Sequence, residues 1–99
     1  MKTATGVDVY RMRQTILENL WHYQQKHHPN DKTKRWTFMI GNKNPLYPIF
    51  AQALLILVRE GLVEISPLNK QCFLTDNGYE YCQSKGLKLS PEDRFFEDY

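Results

Sequence analysis

The chain is poor in the groups that most metal-dependent and covalent chemistry requires. It has two cysteines in 99 residues, Cys72 and Cys82, and three histidines, His22, His27 and His28. The cysteines are not spaced as a Cys-x-x-Cys pair, and the histidines do not complete a ligand set with them. No structural metal and no cofactor is expected. Two lone cysteines make no disulfide framework either, so both are expected as buried, inert thiols. Spacing offers no Ser–His–Asp or Cys–His arrangement, and paired carboxylates occur only near the end of the chain. His27 and His28 stand beside Pro29 at a helix end, where positive charge is favourable in its own right. Catalysis is not expected.

Long apolar runs are scarce as well. The longest falls far short of a membrane span. The opening "MKTATGVDVYRMRQ" has no apolar h-region, so no secretory signal is expected and cytoplasm is the expected compartment. No internal repeat or low-complexity segment occurs. Aromatic residues, by contrast, are plentiful: six Tyr, five Phe and two Trp. With 41% hydrophobic and 24% charged residues, the composition is that of a folded globular domain. Its length suits one modest core.

The net charge of +2 is unevenly placed. "EDRFFEDY", residues 92–99, holds four acids and one arginine, which leaves residues 1–91 at +5. Between Lys26 and Lys43, five Lys/Arg meet a single acid, Asp31. Such a strip suits a polyanion and equally suits a solvated loop.

Periodicity orders the elements. Val9, Met12, Ile16, Leu20 and Tyr23 recur at helical spacing, with Tyr10, Leu17 and Trp21 as a second stripe, so a helix is expected over 7–27. Thr5 and Asp8 suit its start, and Pro29 stops it. "WTFMI" alternates with a period of two and predicts a short strand at 36–40. Asn44–Pro45 opens a single turn at 44–47. Pro48 restarts the backbone into a main helix over 48–60, closed by Gly61, with Leu54, Leu57 and Val58 as its core face. Residues 62–75 read as a β-hairpin that turns Leu62, Cys72 and Leu74 to the core, with Val63 and Phe73 facing elsewhere. Thr75 caps a last helix whose inner face holds Tyr79 and Cys82, Gly78 allows a close approach, and Gly86 ends it. The segment from Pro91 is amphipathic and can dock on the domain, dock on a partner or stay loose.

This order resembles a winged helix-turn-helix domain, an α+β fold with a three-helix core, a β-hairpin wing and a C-terminal helix. The flavour is that of PadR-like regulators. "LYPIFAQALLILVREGLVEI" (46–65) is similar to the family's L-Y-P, helix, then E-G-L at the helix end. "CFLTDNGYEYCQSKG" (72–86) is similar to its second wing strand and L-T-x-x-G helix start. Residues 7–40 match in kind of element, and "NKNPLYP" fills the place of the second helix. The resemblance implies a winged-helix domain over 1–90 with an acidic aromatic tail at 91–99. It also implies a main helix seated in the major groove of DNA.

Candidate contacts follow. Lys32, Lys34 and Arg35 can ride on a phosphate backbone. Trp36 is read as the first inward residue of its strand, with the alternative that it edges the basic strip. The groove face of the main helix offers Tyr47, Gln52 and Arg59, while Asn42, Lys43 and Asn44 cluster before it, at an amino end whose free N–H groups also suit a phosphate. Asn69 and Lys70 sit at the wing tip. Leu55 and Ile56 lie off the core stripe and need a cover. With Tyr10, Leu17 and Trp21 they are the expected interface of a homodimer. The expectation is a small regulator that binds double-stranded DNA as a dimer. The alternative is an interaction module that uses the apolar face of the main helix to bind protein.

Overall fold

The structure, a computed structural model, describes residues 6–39, 47–68 and 70–95, without the side chains of residues 6, 7 and 47. Residues 44–46 of the expected turn, the end of the 36–40 strand and the tail beyond residue 95 lie outside that range. The chain is α+β: three helices and one two-stranded antiparallel hairpin. The elements are α1 (Gly6–His27), α2 (Tyr47–Arg59), β1 (Val63–Ile65), β2 (Cys72–Leu74) and α3 (Asp76–Lys85), then a 3-10 turn at Pro91–Asp93. Among the described residues no helix is long and apolar enough to cross a membrane.

Helix α1 is the wall on which everything else is built. Asp8 in its first turn and Lys26 and His27 in its last complement the helix dipole. It buries Val9, Ile16, Leu17, Leu20 and Tyr23. The two stripes are both needed because α1 meets α2 along one flank and α3 and β2 along another. Each fully buried aliphatic side chain contributes about 1.5–3 kcal/mol. Intrinsic helix propensities differ by less than about 0.7 kcal/mol per residue, so packing decides α1. Arg13 ties it to the end of α2: Nε and Nη2 donate to the two carboxylate oxygens of Glu60 at 2.6 and 2.9 Å. That carboxylate raises the Arg13 pKa above its ordinary value.

Helix α2 buries Phe50, Ala53, Leu54 and Leu57, at spacings of three, four and seven residues. Val58, expected inside, is 38% exposed. Phe50 and Ala53 centre the buried stripe on Leu57, which turns the next residue outward. The helix closes in a Schellman motif. Gly61 has φ 76°, its N–H donates to the Val58 carbonyl, and the Leu62 N–H donates to the Leu57 carbonyl.

The hairpin pairs Val63 with Leu74, Glu64 with Phe73 and Ile65 with Cys72. Val63, Cys72 and Leu74 therefore share the inner face, and Glu64 and Phe73 point out. This corrects the expected orientation of Val63. Leu62 is buried as well, but from within the turn that precedes the strand. The expected 36–40 strand is reduced, among the described residues, to one bridge between Phe38 and Cys72. Two side chains stop it from extending. In a longer ladder the Trp36 N–H would meet the Leu74 carbonyl. Instead that N–H donates to Gln24 Oε1 (2.8 Å), and Arg35 Nε takes the Leu74 carbonyl (2.8 Å).

The hairpin and α3 interlock at one point. Thr75 Oγ1 accepts from the Gly78 N–H and donates to the Gly61 carbonyl, while the Thr75 N–H donates to the Leu62 carbonyl. Gly78 packs so tightly there that a Cβ would stand 1.9 Å from the Leu62 carbonyl oxygen. At the far end of α3, Gly86 is left-handed and its N–H bonds to the Cys82 and Gln83 carbonyls. The C-terminal segment docks on the domain through residue 95. Asn19 Nδ2 donates to the Asp93 carbonyl, and the Phe95 N–H donates to Asn19 Oδ1. The Phe95 ring meets Phe38 and Phe50.

Two stability tests follow. Gly78→Ala must push a methyl into fixed backbone, and a loss of at least about 1–3 kcal/mol is expected by urea denaturation. Cys72 and Cys82 are buried free thiols, and burial pushes both pKa values from 9.0 up to about 12. The fold keeps the protonated form, so their contribution is intact below pH 9.0 and is lost as pH rises toward about 12. At pH 8 a thiol reagent should label neither cysteine in the folded chain and both after unfolding.

Candidate nucleic-acid interface

The loop after α1 is shaped by short-range polar chemistry. Asn30 adopts a left-handed turn at φ 61°, as asparagine tolerates. The Thr33 N–H and Oγ1 both donate to Asp31 Oδ1, at 2.9 and 2.6 Å, and hold that carboxyl below its ordinary pKa. Gln24, 1% exposed on α1, stitches the loop down. Its Nε2 donates to the carbonyls of Lys34 (2.7 Å) and Asp31 (3.4 Å), and its Oε1 accepts from Trp36 N–H.

The basic strip is divided by this arrangement. Lys32 and Lys34 are exposed. Arg35 is not a free cation, and its assignment as a phosphate contact is corrected. Its side chain is 14% exposed. Nε bonds to the Leu74 carbonyl, Nη1 to the carbonyls of Lys32 and Lys34, and Nη2 to Asp76 Oδ1 at 2.7 Å. The guanidinium lies 5.0 Å from the centroid of the Tyr79 ring. Arg35 thus clamps the loop, β2 and α3 together. A groove of about 530 Å³ beside it is lined by Lys32, Arg35, Glu64 and Asp76 among others, so its charge is mixed.

Trp36 is half-buried and stacks on Tyr23 (centroids 4.7 Å apart) and Phe38 (5.4 Å), which agrees with the inward reading. At the opposite end of the hairpin, Lys70 is exposed at the tip with φ 54°. Lys70 and the Lys32–Lys34 pair therefore occupy opposite ends of the hairpin. On α2, Gln52, Leu55 and Arg59 are exposed and fall on one stripe, three and four residues apart. Asn42, Lys43, Asn44, Asn69 and the Tyr47 side chain lie outside the described residues.

The expected dimer residues separate as well. Leu17 is fully buried inside the chain and cannot serve an interface, because both flanks of α1 are covered. Ile56 packs against the core, and Trp21 meets Tyr79 edge-on at 5.1 Å. Tyr10 and Leu55 stay exposed, at 63% and 57%, with Val58 beside the latter.

Comparison with protein-family profiles, curated proteins and solved structures gives no match. The site rests on its own chemistry.

Sequence reasoning missed two kinds of residue. Asn19 and Gln24 are fully buried polar side chains. The available signal was their position: Asn19 falls between Ile16 and Tyr23 on one apolar stripe of α1, and Gln24 follows Leu17 and Trp21 on the other. Met39 and Leu68 are exposed apolar side chains, at 57% and 95%. Leu68 was legible as the one apolar residue inside a polar turn.

Arg35→Ala should cost about 1.5–3 kcal/mol of stability, since it strips carbonyls and a carboxylate of a charged donor. Lys32→Ala and Lys34→Ala should change stability by less than about 0.5 kcal/mol. Denaturation midpoints of the three variants check the division between clamp and free cation.

Proposed function

We propose that the chain is a small winged-helix DNA-binding protein, acting on duplex DNA as a regulator of transcription and as a homodimer. The single observation that carries this reading is the Phe38–Cys72 bridge. It sets a segment from between the first two helices against the second hairpin strand. The chain order helix, bridging segment, helix, hairpin, helix is compatible with a winged-helix-like layout.

The exposed stripe of α2 supports the reading. Glutamine pairs with adenine and arginine with guanine in the major groove, and an apolar side chain meets the thymine methyl. Gln52, Arg59 and Leu55 offer those three contacts in one line. Lys32, Lys34 and Lys70 offer phosphate contacts that set register without reading sequence. With Leu55 on the groove side of α2, Tyr10 on α1 is the exposed apolar side chain left for a second copy.

The second reading, a module that binds protein, is favoured by Leu55 and Val58 exposed on the same helix. Salt separates the two. DNA affinity that depends on several Lys and Arg contacts falls steeply with ionic strength, whereas an apolar interface barely responds. Fluorescence anisotropy with a random duplex at low and physiological salt, run beside a sizing column, is the test. Binding at low salt with a loss of about tenfold or more is expected. Lys43→Ala and Lys70→Ala should weaken binding to every sequence, while Asn44→Ala and Gln52→Ala should change which sequence is preferred. Absence of binding at low salt would overturn the proposal.

A further inference from the structure

The hairpin tip carries an oddity that phosphate binding does not absorb. Leu68 is 95% exposed, the most exposed large apolar side chain among the described residues. Pro67 precedes it with a fixed φ. The loop is closed by Ser66 N–H donating to the Gln71 carbonyl (2.8 Å) and Lys70 N–H donating to the Ser66 carbonyl (2.9 Å). Below the tip, Cys72 lies opposite Ile65 in the hairpin register, and its N–H and carbonyl both bond to Phe38. That register puts Met39, also exposed, opposite Gln71 at the same end of the wing. Lys70 stands two residues from Leu68 with its charge in solvent.

We propose that this tip is a wedge for duplex DNA. Leu68 enters the minor groove between two base pairs, Lys70 holds an adjacent phosphate, and Met39 lies against the sugar edge. The inference rests on the DNA-binding reading above and adds to it a deformation of the DNA. An apolar wedge partly unstacks a base step and kinks the duplex by roughly 20–90°. One side chain suffices for this, because the affinity comes from contacts elsewhere. One leucine is too little for the alternatives. A stable protein interface buries about 1,200–2,000 Å². Lasting membrane attachment needs a whole apolar helix face or two anchoring signals. Pyrimidine–purine steps unstack most readily, so the wedge favours sites with such a step beneath the wing.

The test uses the full chain and a short duplex labelled at both ends for energy transfer, with 2-aminopurine beside a central TA step. The wild-type chain should raise transfer between the ends and raise 2-aminopurine fluorescence on binding. Leu68→Ala should bind within about threefold of wild type yet lose at least about half of both signals. Lys70→Ala should lose about tenfold in affinity and keep the bend in the bound fraction. Leu68 touches almost nothing in the fold, so equal thermal unfolding of Leu68→Ala and wild type is expected. Wild-type binding without either signal overturns the wedge alone, as does an unchanged bend with Leu68→Ala. No binding by the wild-type chain overturns the wedge together with the reading beneath it.

Discussion

Two buried amides on one helix hold the periphery of this protein in place. A chain of this size has one core, and that core is gathered along α1. The segments that cross α1 without regular structure still bring backbone N–H and C=O groups into a dry place. Those groups need partners, or each costs on the order of 1–3 kcal/mol. Gln24 supplies them for the loop at 31–36, and Asn19 supplies them for the segment at 93–95. An amide suits this work because it donates and accepts at once.

The same accounting explains the wing. Its outer segment makes a single bridge to β2 because Gln24 and Arg35 take the N–H and the carbonyl that the next pair would exchange. The sheet is short, and side chains complete it. Arg35 is drawn inward by three carbonyls, a carboxylate and an aromatic face, and is lost to the surface as a cation. A basic run read from its letters thus divides into a structural arginine and two solvated lysines. The distinction matters for recognition, because a guanidinium whose three nitrogens already donate to protein acceptors has little left for a phosphate.

Among the described residues the large apolar side chains left exposed are few: Tyr10 on α1, Leu55 and Val58 on α2, Leu68 at the hairpin tip and Met39 near it. None of these side chains is called for by the core. Exposed leucine on a helix whose other face is already packed is the sort of feature that a partner accounts for, and duplex DNA is the partner proposed here. The close seat of Gly78 on Leu62 and the cap at Thr75 keep the wing at a set angle to α3, so the tip is presented on a rigid base.

The order of elements, the helix ends and most of the core were legible in the letters, because they depend on local rules. Gly61 and Gly86 stand where a left-handed residue is required, Thr75 where a cap is required, and the apolar stripes of α1 recur at the helical period. The facing of Val63, the exposure of Val58, the burial of Leu17 and the capture of Arg35 were decided by tertiary structure. Each depends on which element lies opposite, and periodicity names a face without naming its neighbour. Val63 turned inward because register, set by the turn and by the bridge to Phe38, fixes both strands together. Asn19 and Gln24 belong to the same class. A buried amide looks like a surface amide until the backbone it serves arrives from 7 to 76 residues away.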